Sequence, residues 1–227
     1  MDIQEEIRAA FERLSAEERA ALLASLQAFQ DKHLRVAEPH AFYRPSKHSS
    51  MTVEEYLKFE DQSQIRHEYV DGEIFAMSGT TKNHSRIIHS LRDAIAPRLQ
   101  GGPCEAFTSD IKVRLQVDRK DFYYYPDLVV ECGQRGIDMN QVTDPTLIVE
   151  VLSPSTEATD RREKATNYRR IPSLEEYVLV SQRSYEVTIY RRADHWVPEI
   201  LTEPDDVAEF RSIELPLPLA QIYAEVF

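Results

Sequence analysis

The chain is short of several residue types, and each shortage narrows what it can be. It holds only two cysteines, Cys104 and Cys132, in 227 residues. Their placement matches none of the paired spacings that hold zinc. A disulfide is not expected in a reducing compartment, so both are read as buried apolar side chains. Long hydrophobic runs are missing too. No apolar stretch approaches the ~20 residues that a membrane helix requires, and no membrane partner is expected. The opening residues Met1-Asp-Ile-Gln-Glu-Glu6 are acidic, unlike the basic-then-apolar order of a secretory signal, and predict a cytoplasmic protein. Basic charge is scarce: 27 Lys and Arg against 39 Asp and Glu give a formal net charge of −12. That argues against broad, non-specific nucleic-acid binding, because phosphate contacts need Lys and Arg. A local basic patch remains compatible with it, and Arg161-Arg-Glu-Lys-Ala-Thr-Asn-Tyr-Arg-Arg170 is the best candidate.

A 42% hydrophobic composition suits one globular domain with a small appendage. In residues 2–34, Ile3, Ile7, Ala10, Phe11 and Leu14 share a stripe at helical spacing. Ser15 with Glu18 forms a capping-box pattern that starts a second helix carrying Leu22, Leu23, Leu26 and Phe29. This predicts an N-terminal helical hairpin. Residues 35–50, with Pro39 and Pro45, read as a linker, and 51–227 as the main domain. There Thr52 caps a short helix, and Asp71-Gly72 between two β-rich runs predicts a hairpin. Residues 82–99 predict a helix, followed by strands near 105–117 and 122–131 joined by a charged turn at 118–121. A strand over 146–152, a helix near 157–170 stopped by Pro172, strands over 177–180 and 187–190, and a closing helix from Leu219 complete the pattern. The plan is α/β (α+β), a central mixed sheet flanked by helices.

The richest stretch is Thr146-Leu-Ile-Val-Glu-Val-Leu152, which puts Glu150 inside a run that reads as a strand covered on both faces. A buried carboxylate costs several kcal/mol (on the order of 3–5 when unpaired) unless a cation, a hydrogen-bond network or a metal compensates it. Asp127 occupies a similar setting in Tyr125-Pro-Asp-Leu-Val-Val130. Strand alternation there puts Tyr123, Tyr125, Asp127 and Val129 on one face, with Phe122, Tyr124 and Leu128 on the other. Downstream, Asp160, Lys164 and Tyr168 follow at i, i+4 and i+8 on one helix face, where an Asp160–Lys164 surface salt bridge is the plain alternative. Ser155 or Thr156 is placed to cap this helix. Two acids and one lysine point to metal-dependent phosphodiester cleavage. Mg²⁺ prefers hard oxygen ligands, commonly one or two carboxylates plus water and substrate phosphate, and Mn²⁺ is its substitute. A lysine ammonium then stabilises charge on the phosphorane or positions the attacking water.

These segments, Tyr125-Pro-Asp-Leu-Val-Val130, Pro145-Thr-Leu-Ile-Val-Glu-Val-Leu-Ser-Pro-Ser-Thr156 and the Asp160, Lys164, Tyr168 set, resemble the Uma-type family of restriction-endonuclease-like proteins in the PD-(D/E)xK nuclease superfamily. His67-Glu-Tyr-Val-Asp-Gly-Glu-Ile-Phe-Ala-Met77, Asn83-His84, Ser109-Asp-Ile-Lys-Val113 and Ile171-Pro-Ser-Leu-Glu-Glu-Tyr-Val-Leu-Val180 are similar to further family segments. The resemblance spans roughly residues 51 to 227. It implies a restriction-endonuclease-like core that hydrolyses DNA, with Asp127 and Glu150 as catalytic, metal-binding acids. The superfamily lysine belongs two residues after the second acid, where this chain has Leu152; in the family it comes from the following helix, which points to Lys164. Glu68 resembles the extra N-terminal acid of such nucleases. His84 and Asp110 are candidates for the rim, although His84 also shares a face with Ile87, Ile88 and Leu91, as a core histidine would. Asp160 and Tyr168 are accessory candidates, and Arg161, Arg162 and Arg169 are expected to face DNA. Cleavage of two strands by a domain with one site implies two copies, hence a homodimer. Two rival readings are a catalytically inactive module of the same fold, suited to the acidic net charge, and an interaction protein whose helices at 2–34 recognise a partner.

Overall fold

The computed structural model describes residue 15 and residues 50–77, 79–133 and 140–227. The expected helical pair over 2–34 and the linker over 35–50 lie outside the described residues, Ser15 and Ser50 apart. From Ser50 onward the described residues belong to a unit that runs from Ala41 to Phe227.

Helix α1 (Val53–Gln62) begins at a capping box in which Thr52 and Glu55 satisfy each other's backbone N–H groups. Such a cap is worth about 1 kcal/mol. Strands β1 (His67–Val70) and β2 (Glu73–Ala76) form the expected hairpin. Its turn residues Asp71 and Gly72 both have positive φ, 49° and 100°, the conformation that Asp-Gly supplies. A Cβ on Gly72 would meet Ser50 Cβ at 2.5 Å, so glycine is required there. Helix α2 (Lys82–Leu99) matches its predicted span.

The predicted strands near 105–117 and 122–131 each divide in two. They become β3 (Cys104–Thr108) and β4 (Lys112–Val117), then β5 (Lys120–Tyr124) and β6 (Leu128–Cys132). The breaks matter because the chain changes sheets at both. One sheet has the order β2-β1-β5-β4-β7, with β7 at Gln141–Val142. The other has the order β11-β10-β9-β8-β6-β3, built with β8 (Pro145–Leu152), β9 (Glu176–Ser181), β10 (Val187–Arg191) and β11 (Pro198–Leu201). A ribbon of β12 (Val207–Phe210) and β13 (Leu215–Pro218) precedes α5 (Leu219–Ile222), which is shorter than the closing helix expected. The fold is therefore mixed α+β.

Tyr125, Pro126 and Asp127 form the crossing between sheets. Alternation carried straight through them misplaces the side chains beyond. Val129 packs with Phe122 and Tyr124 in one core, and Leu128 lies in the other. Proline lacks the N–H that a continuous strand would need.

Every residue of β8 is buried. Leu147, Val149 and Val151 face the core that α2 covers through Ile87, Leu91, Ile95 and Leu99. Ile148 and Leu152 face the second core, with Tyr124, Tyr168 and Tyr177. Burying each such aliphatic side chain contributes roughly 1.5–3 kcal/mol. Glu150, between Ile148 and Leu152 at period two, therefore points into the second core.

Cys104 and Cys132 correct the sequence reading. They face each other across β3 and β6 and are joined in a disulfide, both half-exposed rather than buried as free thiols. Antiparallel pairing of the two strands brings their Cα atoms to 4.0 Å, a proximity that spacing in the sequence does not reveal.

Candidate active site

Glu150 is 3% exposed, and its surroundings account for its tolerance there. Its Oε1 accepts from Lys164 Nζ at 3.1 Å and from the Tyr168 hydroxyl at 3.3 Å. Lys164 is itself 4% exposed. Its ammonium also lies 2.8 Å from Glu68 Oε1 and 3.4 Å from Asp160 Oδ1, and sits over the Tyr124 ring at 5.5 Å. The Asp160–Lys164 pair is thus buried, not the surface bridge that helix spacing alone allows.

The segment after β8 builds this arrangement. Helix α3 (Glu157–Thr159) passes into a π-helical turn, Asp160–Lys164, and then into α4 (Ala165–Tyr168). Such turns are rare and often occur where a helix must aim functional side chains. Here it turns both Asp160 and Lys164 inward. Thr156 stands at the N-cap but makes no side-chain capping bond. Instead Ser153 Oγ accepts from the Thr156 N–H at 3.2 Å. The Tyr177 hydroxyl donates to the Asp160 carbonyl at 2.9 Å and fixes the turn against β9.

Asp127 reaches the same place from the neighbouring strand. β6 and β8 are antiparallel with Leu128 opposite Val149, so the next step along both chains brings Asp127 beside Glu150. Asp127 Oδ2 accepts from the Val151 N–H at 2.7 Å and lies 3.2 Å from His84 Nε2. His84 arrives from the first turn of α2, where its N–H donates to the Thr81 cap at 3.2 Å. Its Nδ1 is buried and has no hydrogen-bond partner among the described residues. The histidine thus faces the acid site and not only the apolar core.

Residues that sequence reasoning missed hold Glu68. The Tyr125 N–H donates to Glu68 Oε1 at 3.1 Å, and the Tyr125 hydroxyl donates to Glu60 Oε1 at 3.0 Å. Glu60 also accepts from the His67 N–H at 3.0 Å and contacts His67 Nδ1 at 3.0 Å. Nothing in the α1 sequence sets Glu60 apart from its charged neighbours. Tyr124 is held similarly, donating to Glu163 and accepting from Asn167. Other predicted residues lie outside the buried cluster. Asp110 is exposed and 3.7 Å from Arg66. Arg161 is held by Glu157 and Glu186, Arg162 is exposed, and Arg169 stacks on Tyr190.

Three carboxylates, those of Glu150, Glu68 and Asp160, therefore share one ammonium, while Asp127 beside them is held by His84 and the Val151 N–H. Burial pushes the Glu150 carboxyl well above the usual carboxylate range; Lys164 opposes this, while Asp160, Asp127 and Glu68 push the same way. Burial likewise raises Glu68 and Asp160, again against the pull of Lys164. Burial lowers Lys164, but Glu150, Glu68 and Asp160 overcome it and hold the ammonium protonated well above the ordinary lysine range. Among the described residues, no group of three or more His, Cys, Asp or Glu is arranged to hold a metal ion. The donor chemistry nevertheless fits a hard divalent cation: carboxylate oxygens in excess of positive charge, one imidazole, and a buried Asp160 Oδ1 whose nearest cation is Lys164 at 3.4 Å.

An acid cluster built on two adjacent strands and the following helix, within a mixed α+β fold, is the arrangement of a nuclease-like protein. Residues 53–220 match the family model Uma2, described as "Putative restriction endonuclease", and the chain belongs to that family. The uncharacterized protein slr1290 of Synechocystis sp. is 41% identical over 175 residues, covering 76% of this chain and 91% of its own. A second protein of that organism, sll1609, is 35% identical over 145 residues, covering 63% and 81% respectively. A crystal structure described as a "putative nuclease belonging to DUF820", from Anabaena variabilis, superposes with a TM-score of 0.65 at 20% identity. It covers 78% of this chain and 99% of that one, a likeness of fold. No helix among the described residues is long and apolar enough to cross a membrane.

Proposed function

We propose that the chain is a Mg²⁺-dependent endonuclease that hydrolyses phosphodiester bonds of DNA, with Asp127 and Glu150 as the metal-holding acids and Lys164 as the positioning cation. The observation that carries this reading is the Lys164 ammonium, buried among three carboxylates at the end of β8. A purely structural lysine would be matched by one acid. An excess of acids suits a site that recruits further positive charge.

In this reading Asp127 and Glu150 would hold a divalent ion, which would supply polarisation of the phosphoryl oxygen and a more acidic water. The protein's own groups do the rest. The Val151 N–H and His84 Nε2 fix the Asp127 carboxylate from two sides. Tyr168 and Lys164 fix Glu150. Glu68, anchored by the Tyr125 N–H, keeps the Lys164 ammonium beside the acids, where its charge offsets that of the phosphorane. Arg162 and Arg169 are the proposed contacts to the DNA backbone, and a homodimer would present two such sites to the two strands.

The test is divalent-ion titration by calorimetry together with cleavage of single-stranded, double-stranded and structured DNA. Wild type should bind Mn²⁺ and cut at least one substrate, and Asp127→Ala and Glu150→Gln should lose both properties. Absence of Mn²⁺ and Mg²⁺ binding at millimolar concentration refutes the reading. A second reading, a nuclease-fold module that binds without cutting, is favoured by the direct Lys164–Glu150 contact, which already neutralises one acid. Binding of DNA with no cut in any substrate would select it.

A further inference from the structure

The chain's single tryptophan lies in a constrained turn beyond the acid cluster. His195 and Trp196 both have positive φ, 53° and 61°, two consecutive non-glycine residues in a region that L side chains seldom occupy. Backbone hydrogen bonds keep them there: the His195 N–H donates to the Arg192 carbonyl at 3.1 Å and the Trp196 N–H to the Arg191 carbonyl at 2.8 Å. The turn holds a half-exposed indole beside two guanidinium groups, with Arg192 at 5.0 Å from the ring and Arg169 at 6.0 Å. Val197 next to it is 64% exposed.

Arg169 differs from many of the described arginines. Arg66, Arg98, Arg114, Arg161, Arg170, Arg191 and Arg211 each lie within 4 Å of a carboxylate. Arg169 forms no ion pair among the described residues, and its Nε is buried without a hydrogen-bond partner. It is held flat over Tyr190 at 4.4 Å. Arg192 likewise forms no ion pair among the described residues, and its Nε and one amino group donate to the carbonyls of Leu174 and Ile171. Acids do lie near: Asp194, in the same turn, which Arg211 engages at 3.0 Å, and Glu175 and Glu176, which line a cavity with Arg192, Glu176 being engaged by Arg191. The patch joins the acid cluster through a run of rings, Tyr190 on Tyr177 at 6.2 Å and Tyr177 on Tyr168 at 5.4 Å, and the Tyr168 hydroxyl reaches Glu150.

We propose that Arg169 and Trp196 form a contact site for single-stranded DNA, with a backbone phosphate on the unpaired Arg169 guanidinium and a base against the exposed part of the indole. An aromatic surface beside unpaired positive charge is the combination that single strands require, since every base has a face to stack and every nucleotide a phosphate. A duplex keeps its bases stacked internally and has none to offer. The inference rests on the DNA-directed reading above and adds the form of DNA and the residues that take it.

The sole tryptophan makes the test direct. Full-length protein is titrated with dodecathymidylate in EDTA, which removes any contribution from a metal, while indole emission is followed. Saturable quenching is expected, with no change on adding the equivalent duplex or an inorganic polyphosphate of equal charge. A 5′-labelled oligonucleotide followed by anisotropy then gives the affinities of Arg169→Gln and Trp196→Ala, each expected to be about tenfold weaker, in line with the loss of one stacked base. Emission that stays constant up to saturating dodecathymidylate overturns the proposal, as does equal quenching by polyphosphate or wild-type affinity in both variants. Because the titration runs in EDTA, saturable quenching with no cleavage ever seen would support this site independently of the proposed chemistry. Conversely, metal binding and cleavage with silent indole emission would leave the nuclease reading standing and remove this one.

Discussion

Lys164 Nζ meets Glu150 Oε1 at 3.1 Å from a position 14 residues further along the chain, with both side chains almost fully buried. A lysine in a core is costly unless paired, and a glutamate in the middle of a strand equally so. Each removes the other's penalty, and the surplus charge of Glu68 and Asp160 keeps the lysine protonated.

Lys164→Met should therefore destabilise the protein by about 3–5 kcal/mol at neutral pH, the usual cost of leaving a buried charge without its partner. The sign of the pH dependence follows from the acids. Glu150, Glu68 and Asp160 already have raised pKa values, and Lys164 is what restrains them. Without it they rise further, so the folded state binds more protons than the unfolded chain above the ordinary carboxylate range. Stability gained from those protons is full below that range and is lost as pH rises through the folded values. Urea denaturation at pH 5 and pH 8 should show a larger deficit against wild type at pH 8. An equal deficit at both would mean that the carboxylates do not depend on the lysine.

Asp127→Asn separates fold from chemistry. One Asp127 oxygen, Oδ2, receives both the Val151 N–H and His84 Nε2, and the asparagine oxygen can take its place as the acceptor for both. The cost should stay near 1 kcal/mol, a Tm change of roughly 2–4 °C for a chain of this size. Mn²⁺ affinity, read by calorimetry, should drop below detection, because a carboxamide carries no charge for a hard cation. Retained Mn²⁺ binding would take Asp127 out of the proposed metal site.

The contrast between Asp127 and Glu150 shows what was legible in the sequence. Glu150 stands out because six apolar or β-prone residues enclose it, and burial of β8 follows from that run alone. The span of α2 and the Asp71-Gly72 hairpin were readable for similar local reasons, periodicity and turn chemistry. The surroundings of Asp127 were not. Nothing local indicates that the chain leaves one sheet at Tyr124 and enters another at Leu128, and the alternation carried across this break puts Leu128 and Val129 on the wrong sides. The Glu60–Tyr125–Glu68 connection and the Cys104–Cys132 pairing depend on contacts between distant segments, which periodicity cannot encode.

Glu176 tests whether burial alone marks a functional acid. It is 1% exposed at the start of β9, yet every partner it has is structural. It accepts from Arg191 Nε at 3.0 Å, from the Arg211 and Ser212 N–H groups at 3.1 and 2.9 Å, and from the Ser212 hydroxyl at 2.5 Å. Its donors are in good supply, unlike those of Glu150. Glu176→Ala should cost about 1–3 kcal/mol by leaving the Arg211 and Ser212 N–H groups without their acceptor, since Arg191 keeps its pairing with Glu199, with Mn²⁺ affinity unchanged. A loss of metal binding at full folding would show that the two acid sites communicate.

The Cys104–Cys132 bridge fastens β3, the outer strand of the six-stranded sheet, to β6. Among the described residues β3 pairs with no strand on its other side, so the hydrogen bonds to β6 and the packing of α2 are what hold it there. With the cysteines 28 positions apart in the sequence, loop-closure entropy predicts a contribution of about 3.5 kcal/mol in the bridged form. Reduction should lower the denaturation midpoint accordingly, and the double variant Cys104→Ser, Cys132→Ser should melt with the reduced wild type and ignore reductant. Thiol titration of the oxidised protein in denaturant fixes the starting point, since it should find no reactive sulfhydryl. Two reactive thiols per chain, or a melting curve indifferent to reductant, would mean that β3 is secured by its ladder and by α2 alone.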